Sequence, residues 1–223
     1  MKSWDPVWEA IHQMRSWGRY PPEELIRFVA QNYYQTPVRS SIRILELGSG
    51  QGGNLWFLAR EGFTPYGVEG SRSAVEKGEK YLAEDSLNCK MEVADISTVG
   101  RLYEGTQFDA VVDVCCLQHN CFSVVKDVLE QVRELLRPGG KVFSMMVAAG
   151  SDGDCSCSTE EKGTSRAVEV GPLNGKGLVH FFSLEEVEEL FRNFADVRIG
   201  YTERGDAHGD HRYKHFVTEA SRS

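Results

Sequence analysis

Short runs of Val, Ile and Leu alternate along the chain with longer stretches in which apolar residues recur every three or four positions. The short runs, at 42–47, 64–69, 89–94, 108–116 and 141–148, are apolar nearly throughout, as strands covered on both faces are. The intervening pattern predicts helices at 53–61, 72–84, 122–136 and 184–193. Ser71 stands where an N-cap belongs, and Ser183 with Glu186 spells a capping box. Arg137-Pro138-Gly139-Gly140 stops the third of these helices. Strand and helix in alternation predict a doubly wound parallel sheet. Two further strand-like runs, 195–203 and 211–219, flank the polar segment 204–210 and predict a terminal antiparallel hairpin. Residues 1–40 hold two amphipathic helices, 5–16 and 22–34, joined by Trp17-Gly18-Arg19-Tyr20-Pro21-Pro22. Residues 149–178, rich in Gly, Ser, Asp and Glu, exceed an ordinary connection and predict a mobile substrate loop leading to the helix at 184.

The 223 residues suit a single α/β domain spanning 1–223. The net charge of −8 repels phosphate backbones, so nucleic acid is not an expected partner. No apolar run approaches the roughly 18 residues of a membrane span, and none follows the first five residues as a leader would. A soluble, cytoplasmic protein is expected. Cysteines stand at 89, 115, 116, 121, 155 and 157, without Cys-x-x-Cys spacing. Cys115 and Cys116 read as small hydrophobes, whereas Cys155 and Cys157 lie in a polar stretch where their role stays open. Nothing in the chain fixes an oligomeric state.

The first apolar run ends in Ile44-Leu45-Glu46-Leu47-Gly48-Ser49-Gly50-Gln51-Gly52-Gly53-Asn54. A glycine turn between strand and helix lets backbone approach a cofactor closely. Gly48-x-Gly50-x-x-Gly53, with Glu69 ending the next run, satisfies the dinucleotide fingerprint. Glu46 tilts the balance: a carboxylate two residues before the first glycine repels a pyrophosphate and suits a cationic cofactor.

Through Glu46-Leu47-Gly48-Ser49-Gly50 and later motifs, residues 40–219 resemble the class I S-adenosylmethionine-dependent methyltransferases. The resemblance implies a Rossmann-like seven-stranded sheet with a terminal hairpin, an N-terminal helical lid over residues 1–40, and S-adenosylmethionine as cofactor. It places Gly48, Ser49 and Gly50 around the cofactor and Glu69 on its ribose, with Gly70 and Ser71 following. Asp95 and Ile96 would meet the adenine, though Asp95 also suits a helix cap. Asp113 and Gln118 would close the fourth strand's end, while Asn54 and Arg19 would engage the amino-acid moiety, Arg19 by a bidentate grip on its carboxylate. The segment Asp113-Val114-Cys115-Cys116-Leu117 departs from the Asn/Asp-Pro-Pro-Tyr/Phe motif of enzymes acting on base or amide nitrogens, which leaves a small-molecule acceptor.

Transfer of a methyl group from a sulfonium requires alignment, exclusion of water and, for a hydroxyl acceptor, a base. His119 and His180 are the catalytic candidates; His208 and His211, at the hairpin, rank below them. Trp17, Tyr20 and His208 are the candidate substrate contacts. Asp206, His208, Asp210 and His211 crowd one short turn, and Ser151-Asp152-Gly153-Asp154 opens a calcium-like loop with Gly163 where a glutamate is required, so no metal is expected. The expected activity is methylation of oxygen, less readily nitrogen, on a small polar molecule such as a sugar or natural product. Competing readings are a catalytically silent S-adenosylmethionine-binding interaction protein, a nicotinamide-dependent oxidoreductase and an aminopropyltransferase.

Overall fold

The computed structural model describes residues 4–154, 161–166, 168–208 and 211–223. Two helices, α1 (Val7–Met14) and α2 (Glu23–Tyr33), precede the strand β1 (Arg43–Leu47). Then follow α3 (Gly53–Arg60), β2 (Thr64–Glu69), α4 (Arg72–Glu84), β3 (Lys90–Val93), the single turn α5 (Val99–Leu102), β4 (Phe108–Val114), α6 (Phe122–Leu135) and β5 (Leu136–Val147). The chain continues through the short strands β6 (Thr164–Ser165) and β7 (Val179–His180), α7 (Leu184–Phe191), β8 (Ala195–Gly205) and β9 (Arg212–Ser221).

Seven strands form one sheet in the order β3-β2-β1-β4-β5-β9-β8. Pairing is parallel from β3 to β5 and antiparallel at β5–β9 and β9–β8. The expected Rossmann-like sheet with its terminal hairpin is therefore present. Strand order reverses between β1 and β4, and the crevice outside the carboxyl ends of those strands is where such sheets bind ligands.

Alternate residues of each strand feed two cores. Leu45, Leu47 and Val111 pack with Val125, Val128 and Val132 of α6 and with Val187 and Phe191 of α7. Ile44, Ala110 and Val112 face the other way, against Leu55 and Leu58 of α3 and Leu25, Phe28 and Val29 of α2. Fully burying such side chains contributes about 1.5–3 kcal/mol each, so α2 is part of the core. Of residues 1–40, expected as a lid, the α2 part is thus built into the core. Ser71 caps α4, accepting from the Ala74 N–H, and the Ser183/Glu186 capping box opens α7.

Two connections differ from expectation. Arg137–Gly140 continues as strand after α6, with a shift of register opposite Phe108/Ala110 in β4; Gly139, at φ +72°, absorbs the bend. The segment after β5 is not an open loop over its described part: β6 pairs with β7, and Val168, Leu173, Val179 and Phe181 bury a small core with Val147. Cys155 and Cys157 lie outside the described residues.

Candidate active site

The glycine turn occupies the topological switch point. Gly48, Gly50 and Gly52 have φ of +61°, +51° and +76°, a region where a side chain is strained. At Gly48 a Cβ would also lie 2.2 Å from Cys116 Sγ. Glu69 Oε2 accepts from the Gly50 N–H (2.9 Å) and Oε1 from the Ser71 N–H (2.8 Å). One carboxylate at the end of β2 thus braces the turn after β1.

Glu46 is buried; its Oε1 accepts from Asn54 Nδ2 at 2.5 Å, and its Oε2 has no hydrogen-bond partner. Burial lifts its pKa to about 8, opposed by the Asn54 hydrogen bond and assisted by the charges of Glu69 and Asp113. An orphaned buried oxygen costs about 1–3 kcal/mol, and a cationic group beside it would relieve that cost.

Both acids line a cavity of about 470 Å³ that runs from the glycine turn past the end of β4 to β9. Gly48, Ser49, Gly50, Asn54, Gly70, Ile96 and Gln118 line it as expected, and so do Trp17, Tyr20 and His119. Its roof is the N-terminal segment. Gln51 donates from Nε2 to the Arg15 carbonyl (2.7 Å) and accepts from the Trp17 N–H (3.1 Å). Glu9 accepts from the hydroxyls of Ser71 (2.7 Å) and Ser73 at the start of α4. Trp4 lies over Gly70, its indole filling the space where a side chain at position 70 would begin, and its backbone N–H donates to Asp95 Oδ2 (3.0 Å).

Several expected site residues have other duties. Arg19 does not line the cavity: its guanidinium pairs with Glu84 (2.5 Å) and Asp85 (3.2 Å) and lies over the Tyr81 ring. Ser71 is spent as the cap of α4 and as the donor to Glu9. Asp113 sits behind the cavity wall, accepting from the Cys116 and Leu117 N–H groups (both 2.9 Å) and from Ser144 Oγ (2.6 Å). Asp95 caps the following turn through the Ser97 N–H (2.9 Å) and holds Trp4, and it too lies off the cavity surface.

Of the four candidate histidines, His119, His180, His208 and His211, only His119 lines the cavity. His180 is fully buried elsewhere, with Nδ1 on Thr164 Oγ1 (2.7 Å) and Nε2 3.5 Å from Glu186. His208 is exposed on the hairpin turn and His211 pairs with Asp152 (3.0 Å), because β8 and β9 carry that turn beyond the cavity. Asp210 lies outside the described residues.

His119 follows Cys115, which holds a left-handed φ of +62° at the end of β4, a strained conformation for a side-chain-bearing residue. Its Nδ1 is 3.0 Å from the Leu178 carbonyl and therefore carries the proton; its Nε2 faces Gln118 Nε2 at 3.5 Å. Gln118 is oriented by the Val147 N–H, which donates to its Oε1 (2.9 Å). Burial pushes the His119 pKa down to about 4, so the imidazole is neutral at pH 7. Trp8 of α1 meets it edge-on with ring centroids 4.6 Å apart.

The cavity also contains residues that the sequence did not single out: His12, Gln51, Trp8, Lys176, Tyr213 and His215. Tyr213 and His215 alternate along β9 and so share one face. Their rings are edge-on at 4.5 Å. His215 Nε2 is buried without a partner, and burial, with Arg204 adding to it, lowers its pKa to about 4.

Residues 44–140 match the family model described as a methyltransferase domain. No match was found among curated proteins. Among solved structures, a S-adenosylmethionine-dependent methyltransferase from Methanosarcina mazei aligns at 19% identity and TM-score 0.63, covering 81% of this chain and 92% of its own. Magnesium protoporphyrin IX methyltransferase from Synechocystis PCC 6803, with S-adenosylmethionine bound, aligns at 14% identity and TM-score 0.61, covering 89% and 76%. A Haemonchus contortus phosphoethanolamine N-methyltransferase with S-adenosylhomocysteine aligns at 17% identity and TM-score 0.65, covering 90% of this chain and 52% of that one. At these identities the likeness is one of fold.

Proposed function

We propose that this chain is a class I S-adenosylmethionine-dependent methyltransferase that methylates a small polar molecule at oxygen, a reading supported by its fold and by the methyltransferase-domain match over residues 44–140. One observation carries the reading: a single cavity joins the glycine turn, the orphaned carboxylate of Glu46 and the Glu69 carboxylate to a second end lined by neutral histidines. When bound, the cofactor supplies a methyl group on a positively charged sulfur that departs as a neutral thioether.

The residues present fit such a group. Glu46 offers its free oxygen to a cation, Glu69 accepts from ribose hydroxyls, and Gly48, Ser49 and Gly50 leave the backbone bare for a close approach. Gly70 and Ile96 would flank a purine, with Trp4 as its aromatic wall. A pyrophosphate would raise further the cost of ionising two buried acids here, which disfavours a nicotinamide cofactor.

At the other end the residues hold a proton acceptor. His119, with Nδ1–H committed to Leu178, has Nε2 as its basic atom; His215 offers a second neutral nitrogen. A bound cofactor would take up much of a 470 Å³ cavity, which leaves room for a small acceptor. The test is calorimetric titration with S-adenosylmethionine, S-adenosylhomocysteine and NAD. Micromolar binding of the first two without NAD supports the reading; NAD binding alone overturns it.

A further inference from the structure

The acceptor end of the cavity holds a cation without a counter-ion. Lys176 lines it from the connection between β5 and β7, half-withdrawn from water. Among the described residues, no carboxylate pairs with its ammonium and no side-chain hydrogen bond is made by it. Burial disfavours its charged form; Cys115 opposes that effect and a second cation, Arg15, adds to it. Asp5, which also lines the cavity, is already engaged: Oδ1 accepts from the Val7 N–H (3.0 Å), Oδ2 lies 3.5 Å from Arg166 Nη1, and the carboxylate packs against Gly177. Surface ammonium groups are solvated freely, whereas one that faces a cavity and lacks a partner gains most from an incoming anion.

The walls beside Lys176 specify the rest of the ligand. Trp8 and Tyr213 supply aromatic surface and Leu173 an aliphatic floor. His215 Nε2, buried and unpartnered, adds one polar atom. A flat apolar body with one charged edge and one polar edge satisfies all of these groups.

We infer that the methyl acceptor is a small planar carboxylate, with Lys176 as the charge partner that selects it and His215 as the contact to its polar edge. This rests on the proposed methyltransferase reading and narrows its substrate class. A single ammonium beside the engaged Asp5 balances one negative charge, which favours a carboxylate over a phosphate dianion. A neutral sugar would leave Lys176 desolvated without return.

The test is calorimetry on the full chain saturated with S-adenosylhomocysteine, using benzoate, para-hydroxybenzoate and para-hydroxyphenylacetate, each against its primary amide. At least one acid should bind about tenfold or more tightly than its amide, a difference of roughly 1.4 kcal/mol. Lys176→Gln should abolish that preference and Lys176→Arg should keep it, with S-adenosylhomocysteine affinity unchanged in both. Equal binding of acids and amides, no binding of any acid, or a preference that survives Lys176→Gln would overturn the inference. Failure of S-adenosylhomocysteine itself to bind would instead overturn the methyltransferase reading.

Discussion

Asn54 donates to one oxygen of Glu46 and leaves the other, buried, with nothing to accept from. The pair stands where β1 gives way to α3, so the first turn of a helix orients a carboxylate on the preceding strand. Free, the acid is pushed toward its neutral form, with a pKa of about 8. A cationic ligand would pull it back to the carboxylate.

That relationship predicts proton release on cofactor binding. Near pH 7 the free protein holds a proton on Glu46 that a bound sulfonium and ammonium would expel. Titrations with S-adenosylmethionine in buffers of different ionisation enthalpy should show a release approaching one proton, and Glu46→Gln should remove it. The stability of the free protein follows the opposite sign from an ordinary paired acid. Because the folded pKa lies above the unfolded value, the Glu46 contribution is full below about pH 4.5 and declines as pH rises toward 8. Asp113, raised to about 6 by burial against its three hydrogen bonds, adds a decline between about 4 and 6. Melting temperatures of wild type and Glu46→Gln between pH 5 and 8 should therefore diverge, the variant losing less.

Glu69→Ala should weaken S-adenosylhomocysteine binding by roughly 10- to 150-fold, the equivalent of about 1.5–3 kcal/mol for a lost hydrogen bond to a charged group. The same substitution frees the Gly50 and Ser71 N–H groups. Glu69→Gln retains an acceptor and should be milder. Gly50→Val, forced to hold φ +51°, should abolish binding. Circular dichroism of both variants should match the parent, and unaltered affinity in both would remove the cofactor from this turn.

Arg19→Ala should leave cofactor affinity within about twofold and cost no more than about 1 kcal/mol of stability, as half-exposed ion pairs do. A large loss of affinity would restore Arg19 to the site.

His119→Ala and His215→Ala should spare cofactor binding and lower kcat. Both imidazoles are neutral down to about pH 4, so kcat/KM should stay flat from about pH 5 to 7 as far as these groups govern it. An acidic limb centred near 6.5 in the wild type would point to another base.

The sheet and its helices were legible because their signals are local: apolar runs for β1 to β5, Ser71 and Ser183 for helix starts, and a glycine turn that only one strand-to-helix geometry accommodates. Glu46, Glu69 and the glycines followed from that turn. The acceptor end was not legible. Lys176 stands in Asn174-Gly175-Lys176-Gly177, where it reads as a solvated loop residue until the connection folds back over β4. Tyr213 and His215 did carry a period-two signal, but nothing in β9 alone says which face meets a cavity. Arg19 misled because its partners, Glu84 and Asp85, come from the far end of α4. His180 and Asp113 misled in the same manner, each being a polar residue at a strand end that a neighbouring strand engages, His180 Nδ1 through Thr164 and Asp113 through Ser144.

The N-terminal segment touches both halves of the cavity: Trp4 rests on Gly70 and Asp95, while Asp5 packs against Gly177, next to Lys176. Two adjacent residues that reach both halves couple the two ligands, and any such coupling is reciprocal. Whatever factor the cofactor adds to acceptor affinity by ordering the segment, the acceptor must add to cofactor affinity. Trp4→Ala should shrink that shared factor in both directions at once, so the segment would set how strictly each turnover waits for the second ligand.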